Sequence, residues 1–204
     1  MWHFLKSGGV FMIPLVLTSV VGLAFIIERG LALRWGKVIP RDVEDAVENW
    51  APEHLNELKQ LCQERPSTFS RLLLVAAEHL PRPRDENVDA IQTHARHEVL
   101  QLERGLVVLE IIVGISPLLG LVGAISGLIT LFGDLGQAAM IDNSRVAQGI
   151  AEVLNTTLAG LIIAIPSLIA WSYYNKKVET LAIEMETLCD KFLRRYYRDR
   201  KQRY

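Results

Sequence analysis

Cysteine is scarce in this 204-residue chain: Cys62 and Cys189 are the only two. They lie outside the apolar runs and lack metal-ligand spacing, which argues against both a disulfide framework and a zinc site. The loop signatures of a Walker A site, a dinucleotide fingerprint and a nucleophile elbow are missing. Any energy this chain uses is therefore not expected from nucleotide hydrolysis on its own residues. His94 and His97 form one helical pair, without the Cys or carboxylate partners of a metal site. Neither charge sign dominates, with 22 basic against 23 acidic residues. The basic stretches carry no recognisable nucleic-acid-binding fold or motif, which speaks against nucleic acid as a partner.

The most informative absence is that of charge from three long stretches. Gly8 to Ile27 has no charged side chain, Leu106 to Phe132 has only Glu110, and Val146 to Tyr174 has only Glu152. About 20 apolar residues span a hydrocarbon core of about 30 Å, so each stretch is long enough to cross a bilayer as a helix. The first could be a signal peptide, but it is led by Lys6 alone and has no convincing small-x-small cleavage site. It reads as an uncleaved span, with Pro14 near its start and its helix continuing to about Trp35 or Lys37.

Small and polar residues in the two later spans fall on defined faces. Gly149, Glu152, Thr156, Gly160, Ala164 and Ser167 recur at three- and four-residue steps, and Leu154, Leu158, Leu161, Ile162, Ile165 and Ile169 occupy much of the remaining surface. Ser116, Gly120, Gly123, Gly127 and Thr130 form a similar face on the second span, with Ala124 at its edge. Such faces either pack against each other or line a cavity, and the pattern alone does not choose. Asn155, Thr156 and Thr157 place three consecutive polar residues within the third span, and Thr156 and Thr157 cannot point the same way. Pro117 and Pro166 interrupt the two spans and can shape packing or act as hinges. Glu152 is expected to face a bundle interior or an aqueous path, whereas Glu110 reads as interfacial.

Arg29, Arg34, Lys37 and Arg41 follow the first span closely, which predicts an outside N-terminus and a cytoplasmic residue 40. Lys176 and Lys177 after the third span put the C-terminus in the cytoplasm as well. The expected organisation is a first transmembrane helix with its extension (1–39), a cytoplasmic helical region (40–104), a second span (105–132), a short periplasmic connection (133–145), a third span (146–175) and a basic cytoplasmic helix (176–204). Residues 40–104 hold eight basic and thirteen acidic residues. Helices are expected over Val43–Val47, Leu55–Leu61 and Phe69–Leu80, then from about Glu86 straight into the second span. In the tail, Val178, Leu181, Met185, Leu188, Phe192 and Leu193 have helical spacing. Its basic end suits either anionic lipids or the acidic 40–104 region.

Three stretches carry a further signal: IIERGLALR at Ile26 to Arg34, LERGLVVLEIIVGISPLLGLVGAISGLITLF at Leu102 to Phe132, and GIAEVLNTTLAGLIIAIP within Val146 to Tyr174. Together with their spacing they closely resemble the MotA/TolQ/ExbB proton-channel family, in its ExbB and TolQ branch. The resemblance implies an all-α inner-membrane protein of three transmembrane helices with long cytoplasmic extensions, assembled as a homopentamer. It also implies two single-helix ExbD- or TolR-like partners and a TonB- or TolA-like periplasm-spanning protein. Protons are then the coupling ion, with no cofactor and no enzymatic activity. Glu152 matches the family's acidic residue near the start of the last span, Thr157 its pore-associated threonine, and Pro117 and Pro166 the family prolines. Gly120, Gly123 and Gly127 match the small-residue second span. The pore and pathway candidates are thus Glu152, Asn155, Thr156, Thr157 and Ala124; Pro117, Gly120, Gly123, Gly127, Gly160 and Pro166 are the packing and hinge candidates. Ala124 departs from the pattern, standing where many relatives have a second pore threonine. A scaffold that gathers a periplasm-reaching partner without conducting is the alternative function.

Overall fold

The computed structural model describes residues 10–51, 54–137 and 143–202. Lys6, Pro52, the middle of the 133–145 connection, Arg203 and Tyr204 lie outside the described residues. The described residues form eight α-helices and no strand: α1 (Met12–Ala32), α2 (Trp35–Val38), α3 (Arg41–Glu48), α4 (Leu55–Glu64), α5 (Thr68–Glu78), α6 (Arg84–Glu103), α7 (Leu106–Gln137) and α8 (Asn143–Gln202). Three of these helices, α1, α7 and α8, are long and apolar enough to cross a membrane. The chain divides into two compact units, residues 1–28 with 105–173, and residues 29–104 with 174–204.

The second unit is built as a water-soluble helical domain is built. Val43 and Val47 of α3, Leu58 and Cys62 of α4, Phe69, Leu72, Leu73 and Ala76 of α5, and Ile91 and Ala95 of α6 share one core with Leu181, Met185, Leu188 and Phe192 of α8. Phe69, Leu72, Leu181, Leu188 and Phe192 have no exposed surface at all. Each such side chain contributes about 1.5–3 kcal/mol through burial. The helical spacing from Val178 to Leu193 therefore marks a core-facing stripe, and all six residues on it are buried.

Polar contacts fix how these helices meet. Ser67 caps α5 by accepting from the Ser70 amide at 3.0 Å, and the Ser70 hydroxyl donates to the Arg65 carbonyl at 2.7 Å. Arg71 Nε donates to Glu98 Oε1 at 2.8 Å, joining α5 to α6, and this bond raises the guanidinium pKa. The buried Asn87 amide donates to the Ala76 carbonyl at 3.0 Å, near the end of α5. Lys191 of α8 meets Glu48 at 3.0 Å, and Arg195 donates to the carbonyls of Val47 and Trp50, each at 3.3 Å. For these two cations of the basic tail the counterpart is thus the 40–104 region itself.

The helix boundaries correct two expectations. The first helix stops at Ala32 rather than near Trp35 or Lys37. Arg34 is extended (φ −68°, ψ 134°), and the turn it makes lets Leu33, Val38 and Ile39 be buried to 0–2% exposure. The helix expected to run unbroken into the second span is interrupted at Arg104 and Gly105, where glycine is a poor helix former. The described ends of the 133–145 connection are helical, belonging to α7 and α8.

Candidate functional site: the α7–α8 hairpin

The first unit holds the two small-residue faces, and they pack against each other. A methyl group added at Gly160 would lie 2.5 Å from the Ser116 carbonyl oxygen and 3.3 Å from Gly120 Cα. One added at Gly120 would lie 2.8 Å from the Thr156 carbonyl oxygen and 3.1 Å from Thr157 Cα. Here the two backbones touch, and no side chain fits between them. At Gly127 the same methyl would meet Val153 Cγ2 at 2.8 Å, and at Gly149 it would meet Leu131 Cδ1 at 2.6 Å. The pairs run in opposite directions along α7 and α8, as an antiparallel hairpin requires. Lipid offers no hydrophobic drive to associate helices, so this close approach and its dispersion contacts hold the pair together.

Three hydroxyls along the hairpin are satisfied by their own helix. Thr156, 2% exposed, donates to the Val153 carbonyl at 2.8 Å, and Ser167 donates to the Ile163 carbonyl at 2.8 Å. Thr130, placed on the inner face by its spacing, is exposed and bonds the Ser126 carbonyl at 3.1 Å. Ser116 is fully buried beside Pro117, and its hydroxyl has no partner among the described residues. Both α7 and α8 continue as helix through Pro117 and Pro166.

The remaining candidates separate around α8. Successive helical residues turn by about 100°, so Thr157 lies about 140° from Glu152 and about 160° from Asn155. Glu152 shares its flank with Ala159 and Ile163, which pack with Met12 and Leu15 of α1 and Leu119 of α7. Thr157 lies on the other flank. Ala124 is likewise on the side of α7 away from Leu119, and is 7% exposed. Glu152, Asn155 and Thr157 are all half-buried, and Glu110 is exposed. The structure thus brings Gly120, Gly123, Gly127, Thr156 and Gly160 into one contact, but does not gather Glu152, Asn155 and Thr157 onto one face.

Gly22 was not distinguished by its sequence setting. A methyl there would sit 3.4 Å from Ser167 Oγ and 3.5 Å from Ile112 Cδ1, so this glycine seats α1 against both hairpin helices. Phe11 similarly covers Gly123, with its Cβ 3.1 Å from the position a methyl would take. A single glycine in an apolar run gives no sign of which neighbour it will meet. Among the described residues no cluster of His, Cys, Asp or Glu has the grouping to hold a metal ion.

Residues 64–187 match the family model of the MotA/TolQ/ExbB proton channel family. A biopolymer transport protein of Synechocystis named ExbB-like 1 is 35% identical over 178 residues, covering 83% of this chain and 68% of its own. The biopolymer transport protein exbB1 of Vibrio cholerae is 31% identical, over 76% of this chain and 70% of its own. The Tol-Pal system protein TolQ of Haemophilus influenzae is 27% identical, over 93% of this chain and 90% of its own. With three apolar helices, a glycine-packed hairpin and these relatives along most of its length, the chain belongs to the MotA/TolQ/ExbB proton channel family, in its ExbB/TolQ branch.

Proposed function

We propose that this chain is the channel-forming subunit of a proton-driven motor in the bacterial inner membrane. Five copies surround the single helices of two ExbD/TolR-like partners, with the N-terminus in the periplasm and the C-terminus in the cytoplasm. Proton flow moves one set of helices against the other, and a TonB/TolA-like protein carries the resulting work across the envelope. Relatives bear names from biopolymer transport and the Tol-Pal system, and this reading extends such a role to the present chain.

One observation supports the conduit most directly. Thr157 is half-buried on the hairpin flank away from Met12 and Leu15 of α1, so its hydroxyl is available to a partner helix or to water. Thr156 serves packing instead, since its hydroxyl is bonded within α8. Glu152 and Asn155, on the other flank, act near the outer mouth of the path or at a neighbouring helix. The acid that takes up the proton belongs to the partner.

The test uses proteoliposomes holding this chain and its partner with a proton-sensitive dye. Thr157→Val keeps the branched shape and removes the hydroxyl, so flux should fall severalfold at unchanged oligomer content. Ala124→Thr should be tolerated and partly restore flux to that variant. Equal flux from Thr157→Val would make the threonine purely structural. Ala124 itself favours a second reading, because it offers a proton path no hydroxyl at the matching position. A wild-type complex that carries no protons under a membrane potential would establish the non-conducting scaffold.

A further inference from the structure

The short segment between α1 and the start of α3 carries three exposed cations whose side chains are left unpaired. Arg34, Lys37 and Arg41 are exposed, and none of their side chains has a hydrogen-bond or ion-pair partner among the described residues. Other cations of this unit are engaged. Arg29 donates to the Leu102 carbonyl at 3.2 Å, Arg65 meets Asp42 at 3.1 Å, Arg84 meets Asp190 at 3.2 Å and Lys191 meets Glu48 at 3.0 Å. Asp42, the acid next to Arg41 in sequence, is therefore already claimed by Arg65. Arg41 also opens α3, where the helix dipole disfavours a cation. Local stability gives no reason for this arrangement.

Neighbouring residues add an apolar approach and a firm base. Ile13, Leu17, Val20, Leu23, Ile27 and Leu31 form an exposed stripe along α1, and Trp35, 37% exposed, opens α2 just beyond its end. Tryptophan prefers the headgroup level of a bilayer, where its ring is half in apolar and half in polar surroundings. Leu33, Val38 and Ile39 are buried, which pins the turn from beneath. Gly36 stands between Trp35 and Lys37, and a methyl added there would meet no atom within 4 Å. The outward side of the turn is open.

We propose that Arg34, Lys37 and Arg41, with Trp35 beside them, bind the phosphate headgroup of an anionic phospholipid in the leaflet where α1 ends. The inference rests on α1 crossing the bilayer and not on proton conduction. Guanidinium groups take phosphate oxygens through paired N–H donors, and the lysine adds a compact charge. The binding would fix the depth of α1 and the direction in which the chain leaves the membrane.

Native mass spectrometry of the full-length chain in detergent, titrated with phosphatidylglycerol, phosphatidylcholine or inorganic phosphate, tests the site. Arg34→Gln, Lys37→Gln and Arg41→Gln should each weaken phosphatidylglycerol retention about fivefold, from about 1 kcal/mol per cation near an anionic membrane surface. Phosphatidylcholine retention should not change. Gly36→Glu brings a negative charge into open space, and should lower phosphatidylglycerol retention while helical content stays at the wild-type level. A control with Lys59, Arg82 and Arg96 changed to Gln should bind as wild type. Undiminished retention in the triple variant that combines Arg34→Gln, Lys37→Gln and Arg41→Gln overturns the proposal, as does an equal loss in the control. Full displacement by inorganic phosphate would also overturn it, making the turn a phosphate site rather than a lipid site. If the triple variant fails to fold, undiminished retention by Gly36→Glu decides against the site. A complex that carries no protons but keeps its phosphatidylglycerol preference would remove the channel reading alone.

Discussion

The two units of this chain use α-helices in opposite ways. In the unit of residues 29–104 and 174–204, the largest side chains are inside: Phe69 and Phe192 are fully buried, and ion pairs such as Lys191–Glu48 lie at the surface. In the unit of residues 1–28 and 105–173, the closest internal contacts are made by glycine, while Leu154, Leu158, Ile162, Ile165 and Ile169 are 50–65% exposed. The difference reflects the surroundings each unit is built for. Water drives large apolar groups together. Lipid does not, and there helices associate by close approach and by satisfying polar groups internally.

The sharpest way to break this comparison is to give the glycine contact a side chain. Gly160→Leu places its Cβ against the Ser116 carbonyl, a backbone atom that cannot swing away. It should prevent the hairpin from assembling, read as loss of monodisperse protein by size-exclusion chromatography in mild detergent. Gly114→Leu is the matched control on the same pair of helices. A methyl at Gly114 meets nothing within 4 Å, so this change should leave yield and melting temperature near wild type. Equal behaviour of the two variants would show that backbone proximity does not hold the hairpin.

The next largest effect should come from the opposite change in the other unit. Phe192→Ala empties a fully buried site against Trp50, whose ring centroid is 4.7 Å away, and should cost about 3–5 kcal/mol. Phe132, 66% exposed in the first unit, should tolerate alanine within about 0.5 kcal/mol. Thermal unfolding of both variants in the same detergent measures the contrast.

A smaller and pH-dependent effect follows from the buried cysteines. Burial pushes the Cys62 thiol up to about 11 and the Cys189 thiol up to about 12, from an ordinary value of 9.0. Both thiols stay protonated in the fold while the unfolded chain begins to ionise, so the unfolded state binds fewer protons above pH 9. Their contribution is therefore fully present below pH 9 and lost as pH rises from 9 toward 12. Replacing both with alanine should flatten that part of the alkaline decline, as measured by thermal unfolding at a series of pH values. The same thiols should resist alkylation until the protein is denatured.

The smallest effect is expected at the surface pair of Lys191 and Glu48. Both side chains are about half exposed, and a double-mutant cycle should give a coupling below about 1 kcal/mol that weakens with salt. A larger value would mean that this unit also depends on polar contacts in the way the hairpin depends on glycine.

Much of the fold was legible because periodicity reports directly on burial. The six-residue stripe from Val178 to Leu193 is buried, and the leucines and isoleucines set opposite the small face of the third span are exposed. Helix interruptions were less legible. Nothing in the sequence from Ala32 to Arg34 signals a stop as a proline would, and the break there depends on what Leu33, Val38 and Ile39 are buried against. The part played by Gly22 was hidden for the same reason. Its neighbours Ile112 and Ser167 come from remote parts of the chain.

The sequence by itself determined that three helices are apolar enough to span a membrane, that two of them present small-residue faces, and that the polar regions between and after them are helical. These properties arise from side chains a few residues apart on one helix, and 3.6-residue geometry fixes their relation. Only the tertiary structure decided that the two small faces pack on each other, that Thr156 is sealed within that contact, and that Glu152 lies on the flank beside α1 and Thr157 on the flank away from it. Those outcomes depend on which face of one helix meets which face of another, and that choice is made by close backbone approach between residues distant in sequence.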